Sequence, residues 1–162
     1  MVTIKTTLGD IKLQLDEKLA PISSANFLQY ARDGHYNGSI FHRVIETFMI
    51  QCGGMDKNLA NLKTRSPIKN ESSNGLSNKK YSVAMARTSV ADSATSQFFI
   101  NTSDNGFLDK SQSRDGVGYA VFGHVVEGQD VVDAIAKVKT TTRSHHSDVP
   151  VDTLEIISVE VE

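Results

Sequence analysis

A chain of 162 residues has the length of one domain, and its 39% hydrophobic content supplies a substantial core. A net charge of -2 without a basic stripe gives no electrostatic case for a nucleic-acid partner. No apolar run approaches the ~20 residues of a membrane span, and a lone cysteine, Cys52, excludes an intramolecular disulfide. The start, Met1-Val2-Thr3-Ile4-Lys5, lacks the basic and apolar regions of a secretory signal, which points to a cytoplasmic protein. Cys52 reads best as a buried, unreactive thiol.

Val2 and Ile4, then Ile11, Leu13 and Leu15, alternate with polar residues, the period-two pattern of strands buried on one face. Thr7-Leu8-Gly9-Asp10 between them predicts a hairpin turn, with Gly9 free to take positive φ. Pro21 opens a helix that ends near Gly34, with Ala25, Leu28 and Ala31 on one face and Phe27 beside them. Residues 41–51 predict short strands around a turn at Glu46-Thr47. Residues 52–80 lose periodicity and predict a long loop, of the kind that often carries function. Strand character returns at 81–86 and at 97–100, with an exposed loop at 88–96 between them. Residues 104–118 read as a loop that carries Phe107 and Leu108, and 119–126 as a strand. A second helix is predicted over 128–139, with Val131, Ile135 and Val138 on one face and Val132 and Ala136 next to them. Alternation at Leu154, Ile156, Val159 and Val161 predicts a last strand. About eight strands, two helices and no βαβ alternation argue for an antiparallel barrel or sandwich.

Residue chemistry alone singles out little. Of five histidines only His145 and His146 cluster, with Asp148 nearby. Adjacent residues rarely bind one metal well, and no His-x-x-x-His spacing occurs, so a metal-dependent hydrolase is a weak reading. There is no Gly-x-Ser-x-Gly elbow and no phosphate loop. Arg43 lies beside two apolar runs, Val44-Ile45 and Phe48-Met49-Ile50. An arginine on an apolar wall is costly unless it is paired or kept for a ligand. Alternation must send Phe98 and Phe99 to opposite faces. Taken singly, each of these residues reads as core or incidental.

Together they resemble a known family. Phe41-His42-Arg43-Val44-Ile45, Phe48-Met49-Ile50-Gln51, Ala84-Met85-Ala86-Arg87, Ser96-Gln97-Phe98-Phe99-Ile100, Phe107-Leu108-Asp109 and Val121-Phe122-Gly123 follow one another in the order found in the cyclophilins. The chain is most similar to their bacterial cytosolic branch. Ala20-Pro21 through Asn26-Phe27-Leu28, and Asn70-Glu71 with Asn74-Gly75-Leu76, match as well. The resemblance spans nearly the whole chain. It implies one domain over 1–162, a mainly β fold with a closed eight-stranded antiparallel barrel capped by two α-helices, and a substrate groove on the barrel's outside. It implies a peptidyl-prolyl cis–trans isomerase that assists folding and acts on proline-containing peptides and flexible or unfolded segments. A monomer is the family default.

Carried over by motif, the catalytic residue is Arg43 and the proline pocket is Phe48, Met49, Phe99 and Leu108. Phe107 and Tyr119 stand at its rim, and Gln51, Ala86, Arg87 and Gln97 line the groove. Rotation about an amide makes and breaks no bond, so no nucleophile, metal or cofactor is required. Phe107 stands where many eukaryotic members carry tryptophan, and Tyr119 where they carry histidine. Phenylalanine cannot donate the indole N–H bond, which implies weak cyclosporin binding. Arg87 replaces a common asparagine and would add a charge to the groove. Cys52 replaces a glycine, and is strained there if that position needs positive φ. The alternative of another class is a proline-peptide binding module or holdase with the same fold and no isomerase activity.

Overall fold

The computed structural model describes residues 1–162. Strands β1 (Val2–Thr6) and β2 (Gly9–Leu15) pair antiparallel with Ile4 opposite Ile11 and Val2 opposite Leu13, which puts the alternating apolar set on one buried face. Gly9 closes the hairpin at φ +136°, and a Cβ there would come within 2.9 Å of Val131 on the second helix. The turn and the helix contact therefore both call for glycine.

Helix α1 spans Pro21–Arg32 and is followed by Gly34 at φ +72°. Its buried face is Ser23, Ser24, Phe27, Leu28, Tyr30 and Ala31, while Ala25 faces solvent, contrary to the sequence expectation. Each i+3 step falls about 60° short of a full turn, so even the two steps from Ala25 to Ala31 drift off a straight face. The helix has no side-chain cap of its own. Instead the Glu71 carboxylate accepts from the backbone N–H of Ile22 (3.1 Å) and Ser23 (2.6 Å), two of the donors that a helix start leaves unpaired.

Strands β3 (Ser39–Ile45) and β4 (Met49–Asp56) flank the turn at Glu46-Thr47. β4 runs well past Gln51, through Cys52-Gly53-Gly54-Met55, where the sequence predicted loop. The two glycines mark close approach rather than irregularity. A Cβ on Gly53 would meet the Tyr36 ring at 2.8 Å, and one on Gly54 would overlap the Gln97 side chain. Strands β5 (Ser82–Met85), β6 (Phe98–Asn101) and β7 (Val121–Glu127) follow, then helix α2 (Gln129–Ala136), shorter than the predicted 128–139. Its buried residues are Val132, Ile135 and Ala136, with Val131 and Val138 only half-buried. Strands β8 (Thr140–Arg143) and β9 (His146–Pro150) form a separate hairpin that the sequence did not announce. Its turn residues Ser144 and His145 both have positive φ, yet Ser-His is not the Asn-Gly pattern by which such turns are recognised.

Strand β10 (Ile156–Val161) completes an antiparallel eight-stranded sheet of order β10-β1-β2-β7-β5-β6-β4-β3. The edges β10 and β3 approach through the Ile40–Glu155 bridge. The N–H of Phe41 also donates to Leu154 (2.9 Å), and that of Gly38 to Ile156 (2.8 Å). The result is a nearly closed barrel. Its interior packs Ile4, Ile11, Leu13, Ile50, Val83, Phe98, Ile100 and Phe122, with Phe27 and Tyr36 joining Phe98 in an aromatic group. A second, smaller apolar cluster, Met49, Ala84, Ala86, Phe99 and Val121, is formed by the alternate residues of the same strands.

Candidate active site

The second cluster is the floor of a cavity. Met49 and Phe99 point outward from β4 and β6 because Ile50, Phe98 and Ile100 point inward. Phe48, at the β3–β4 turn, adds one wall. Leu108 comes from a short 3₁₀ turn at Gly106–Leu108, and Tyr119 meets Phe99 edge-on at 5.8 Å between ring centroids. Arg43, Phe48, Met49, Gln51, Ala86, Arg87, Phe99, Leu108 and Tyr119 line a space of about 140 Å³. That is well under the ~300–1,000 Å³ of drug-sized sites and suits one small side chain. A larger hollow of about 660 Å³ beside α1 is a shallow, open depression.

The two remaining expected residues lie next to this space. Gln97 lines an adjoining hollow of about 200 Å³ together with Gln51, Ala86, Arg87, Thr88, Ser93 and Thr95. Its Oε1 accepts from Gln51 Nε2 at 2.8 Å. Phe107 stacks on Phe48 at 5.8 Å and is 56% exposed, forming an outer apolar lip.

Arg43 is exposed and opposite Gln51 in the β3–β4 register. Its guanidinium makes no ion pair and no side-chain hydrogen bond; its one neighbour of note is the Phe48 ring, 5.9 Å away. The donors of Arg43 are thus free at the mouth of the cavity. Arg87 is the opposite case. Its side chain is 3% exposed, and its donors are taken up by the Gly118 and Thr88 carbonyls. Arg87 does line the groove, but the charge it brings is engaged by backbone carbonyls.

Cys52 sits in β4 opposite Phe41 and Phe98, wholly buried and without positive φ. The left-handed position is the next residue, Gly53, at φ +90°. Space alone was at issue, and the thiol fits. Burial pushes its pKa well up, which keeps it protonated. Burial also lowers His42, beside Arg43, to about 4, helped by His146 and then by Arg43 itself.

Sequence reasoning missed the amides that hold the cavity together. Asn78, Asn101 and Asn105 are buried and linked: Asn101 Nδ2 donates to Asn78 Oδ1 (3.1 Å), and Asn105 Nδ2 to Asn101 Oδ1 (2.8 Å) and to the Phe48 carbonyl (2.8 Å). Asp109 accepts from Ser77 Oγ (2.5 Å) and from the backbone and side chain of Asn78 (2.7 and 2.9 Å). Burial raises the Asp109 pKa, but these donors outweigh it and hold the carboxyl below its usual value. The network fastens the segment that carries Phe107 and Leu108 to the turn that carries Phe48. Asparagines in a predicted loop were its only signal.

Residues 1–161 match the family described as cyclophilin type peptidyl-prolyl cis-trans isomerase/CLD. The chain belongs to this family. It is 55% identical over 161 residues to a peptidyl-prolyl cis-trans isomerase of Acinetobacter baylyi, covering 99% of this chain and 85% of that one. It is 50% identical to peptidyl-prolyl cis-trans isomerase B of Escherichia coli, covering 99% of each. In fold it is similar to a cyclophilin type isomerase of Cryptosporidium parvum crystallised in the presence of the dipeptide Ala-Pro, with a TM-score of 0.78 at 24% identity over 99% and 98% of the two chains. A cyclophilin from Hirschia baltica gives a TM-score of 0.78 at 21% identity, over 98% of this chain and 72% of that one. These two likenesses show the fold. The cyclophilin-type chain is thus an isomerase, and no helix in it is long and apolar enough to cross a membrane.

Proposed function

We propose that the cavity takes the proline ring of an X–Pro segment, and that Arg43 donates to the prolyl nitrogen as the amide twists. The observation that carries this reading is the uncommitted Arg43 guanidinium at the mouth of an apolar cavity of about 140 Å³. A planar amide resists rotation by ~18–20 kcal/mol through its resonance. Twisting localises a lone pair on nitrogen, which becomes an acceptor that the planar ground state lacks. A donor placed there stabilises only the twisted state, and each ~1.4 kcal/mol of that preference gives tenfold in rate. Phe48, Met49, Phe99 and Leu108 hold the ring while the preceding half turns, with Phe107 and Tyr119 at the rim. Gln51, held by Gln97, presents polar groups to the peptide, and Ala86 and Arg87 offer their backbone edge.

The substrates in this reading are proline-containing peptides and flexible or unfolded segments of proteins, and the unit of function is one domain over 1–162. A monomer acting in the cytoplasm follows from the family resemblance. Arg43→Ala should lower kcat/KM for an Ala-Pro peptide, measured by NMR exchange, at least ~100-fold, with peptide affinity changed far less. Equal losses in both would contradict the role given to Arg43. Phe107 supplies stacking but no N–H, so cyclosporin should bind weakly and Phe107→Trp should tighten it by roughly tenfold in calorimetry.

A further inference from the structure

The buried charge of Arg87 serves neither as a free cation in the groove nor as an isolated ion pair. Its Nε and Nη2 both donate to the Gly118 carbonyl, at 3.0 and 2.8 Å, and Nη1 donates to the Thr88 carbonyl at 2.9 Å. The Asp115 carboxylate lies 3.5 Å from Nη2. The guanidinium lies over the Tyr119 ring, with Cζ 4.3 Å from the centroid. Tyr119 in turn meets Phe99, and its N–H donates to the Leu108 carbonyl at 2.9 Å. Gly118 itself is fixed: it has φ +75°, and a Cβ would fall 2.5 Å from the Lys110 nitrogen. The ring is thus held between a cation on one side and the cavity floor on the other.

We propose that Arg87 is a positioning residue that works as a unit with Tyr119, so that two departures, arginine for a common asparagine and tyrosine for the histidine of many eukaryotic members, are one coupled change. The inference rests on the reading that the cavity holds the proline ring. An asparagine at position 87 is too short to span both carbonyls and carries no charge to set over the ring. A histidine at position 119 gives a poor face to a guanidinium when neutral and repels it when protonated. Each single exchange leaves a mismatched partner, and the double exchange removes both mismatches. The coupling also means that Arg87 gives the groove no preference for acidic residues around the proline.

The test is a double-mutant cycle on the full chain: wild type, Arg87→Asn, Tyr119→His and the double variant, with KM and kcat from NMR exchange on an Ala-Pro peptide. Each single variant should lose about three- to tenfold in kcat/KM through a raised KM, and the double should retain at least about threefold more activity than the product of the single losses. The Arg87 Nε–H resonance should be shifted by the Tyr119 ring, move when the peptide saturates the protein, and lose its ring shift in Tyr119→His. Single losses that simply multiply, losses confined to kcat, or an Nε–H signal indifferent to peptide would each overturn the coupling. Arg43→Ala run in parallel separates the two ideas. If it stays fully active, the reading of the cavity fails, while the ring shift of the free protein and the thermal unfolding of the four variants still score the Arg87–Tyr119 unit. If it loses activity and the cycle multiplies, the coupling alone fails.

Discussion

Asn105 is the residue at which stability and the shape of the cavity are most directly joined. Its side-chain amide is nearly fully buried and donates to both the Phe48 carbonyl and Asn101 Oδ1 at 2.8 Å. Its backbone N–H donates to the Asn78 carbonyl (2.7 Å), and its carbonyl accepts from Leu108 (2.9 Å). In Asn105→Ala the backbone links can persist, but both side-chain bonds go. The Phe48 carbonyl keeps the Thr102 N–H at 3.0 Å, whereas Asn101 Oδ1 loses its one protein donor. Two net hydrogen bonds at ~1 kcal/mol each, plus about 1–2 kcal/mol for the stranded oxygen, give a loss of about 3–4 kcal/mol. For a chain of this size that lowers Tm by roughly 5–15 °C. Release of the Leu108 segment from the Phe48 turn should also raise KM for an Ala-Pro peptide by roughly tenfold, the equivalent of ~1.4 kcal/mol. Thermal unfolding with NMR exchange below the transition measures both. Ile4→Val, deep in the barrel interior, is the control; it should cost about 0.5–1.5 kcal/mol and leave KM unchanged. A Tm within about 2 °C of wild type, or a KM no higher than that of the control, would refute the claim that the amide network shapes the cavity.

Three further outcomes follow from the same structure. His42 is held at about 4 against 6.5 when unfolded, so the unfolded chain takes up its proton first. Stability should therefore fall by up to about 3 kcal/mol as pH drops from about 6.5 to about 4, and chemical denaturation of His42→Gln over that range should show a flatter slope. Asp109 adds to the decline only below pH about 4, because its lowered carboxyl contributes stability above its unfolded value and loses it as pH falls through the folded one; Asp109→Asn should remove that part of the acid limb. Glu71→Ala should cost about 0.5–2 kcal/mol in denaturant unfolding by leaving the Ile22 and Ser23 amides uncapped, with little change in kcat.

The first two strands and the face they bury were readable because Val2, Ile4, Ile11 and Leu13 obey a period of two that only one buried face can impose. The continuation of β4 through Cys52-Gly53-Gly54 was not. Glycine signals a turn locally, whereas here it answers Tyr36 and Gln97, contacts distant in sequence. Ala25 was misplaced because an i+3 series imitates a helix face over too few turns to reveal its drift. Among the candidate site residues, Arg43 and Phe99 carried no signal as individuals, since an exposed arginine and a buried phenylalanine are ordinary. The resemblance supplied their grouping. Even so, it could not show that the Arg87 charge is engaged, because the carbonyls of Gly118 and Thr88 that consume its donors have no sequence signature at all.

A barrel with a packed interior still leaves one question about its outer face. In β5 and β6 every residue is buried, from Ser82 through Met85 and from Phe98 through Asn101. Strands facing water on their outer side would alternate, so unbroken burial means that something covers them outside. In this chain the cover is the segment that carries Leu108 and Tyr119, tied down by Asn105, Asp109 and Arg87. The cover stops short of Arg43, and the gap between them is the cavity. The walls of that cavity are therefore set by the cover and its fastenings, above a floor that β4 and β6 supply. If the cavity holds the proline ring as proposed, the residues that fasten the cover, Asn105, Asp109 and Arg87, should govern how well a twisted amide is gripped.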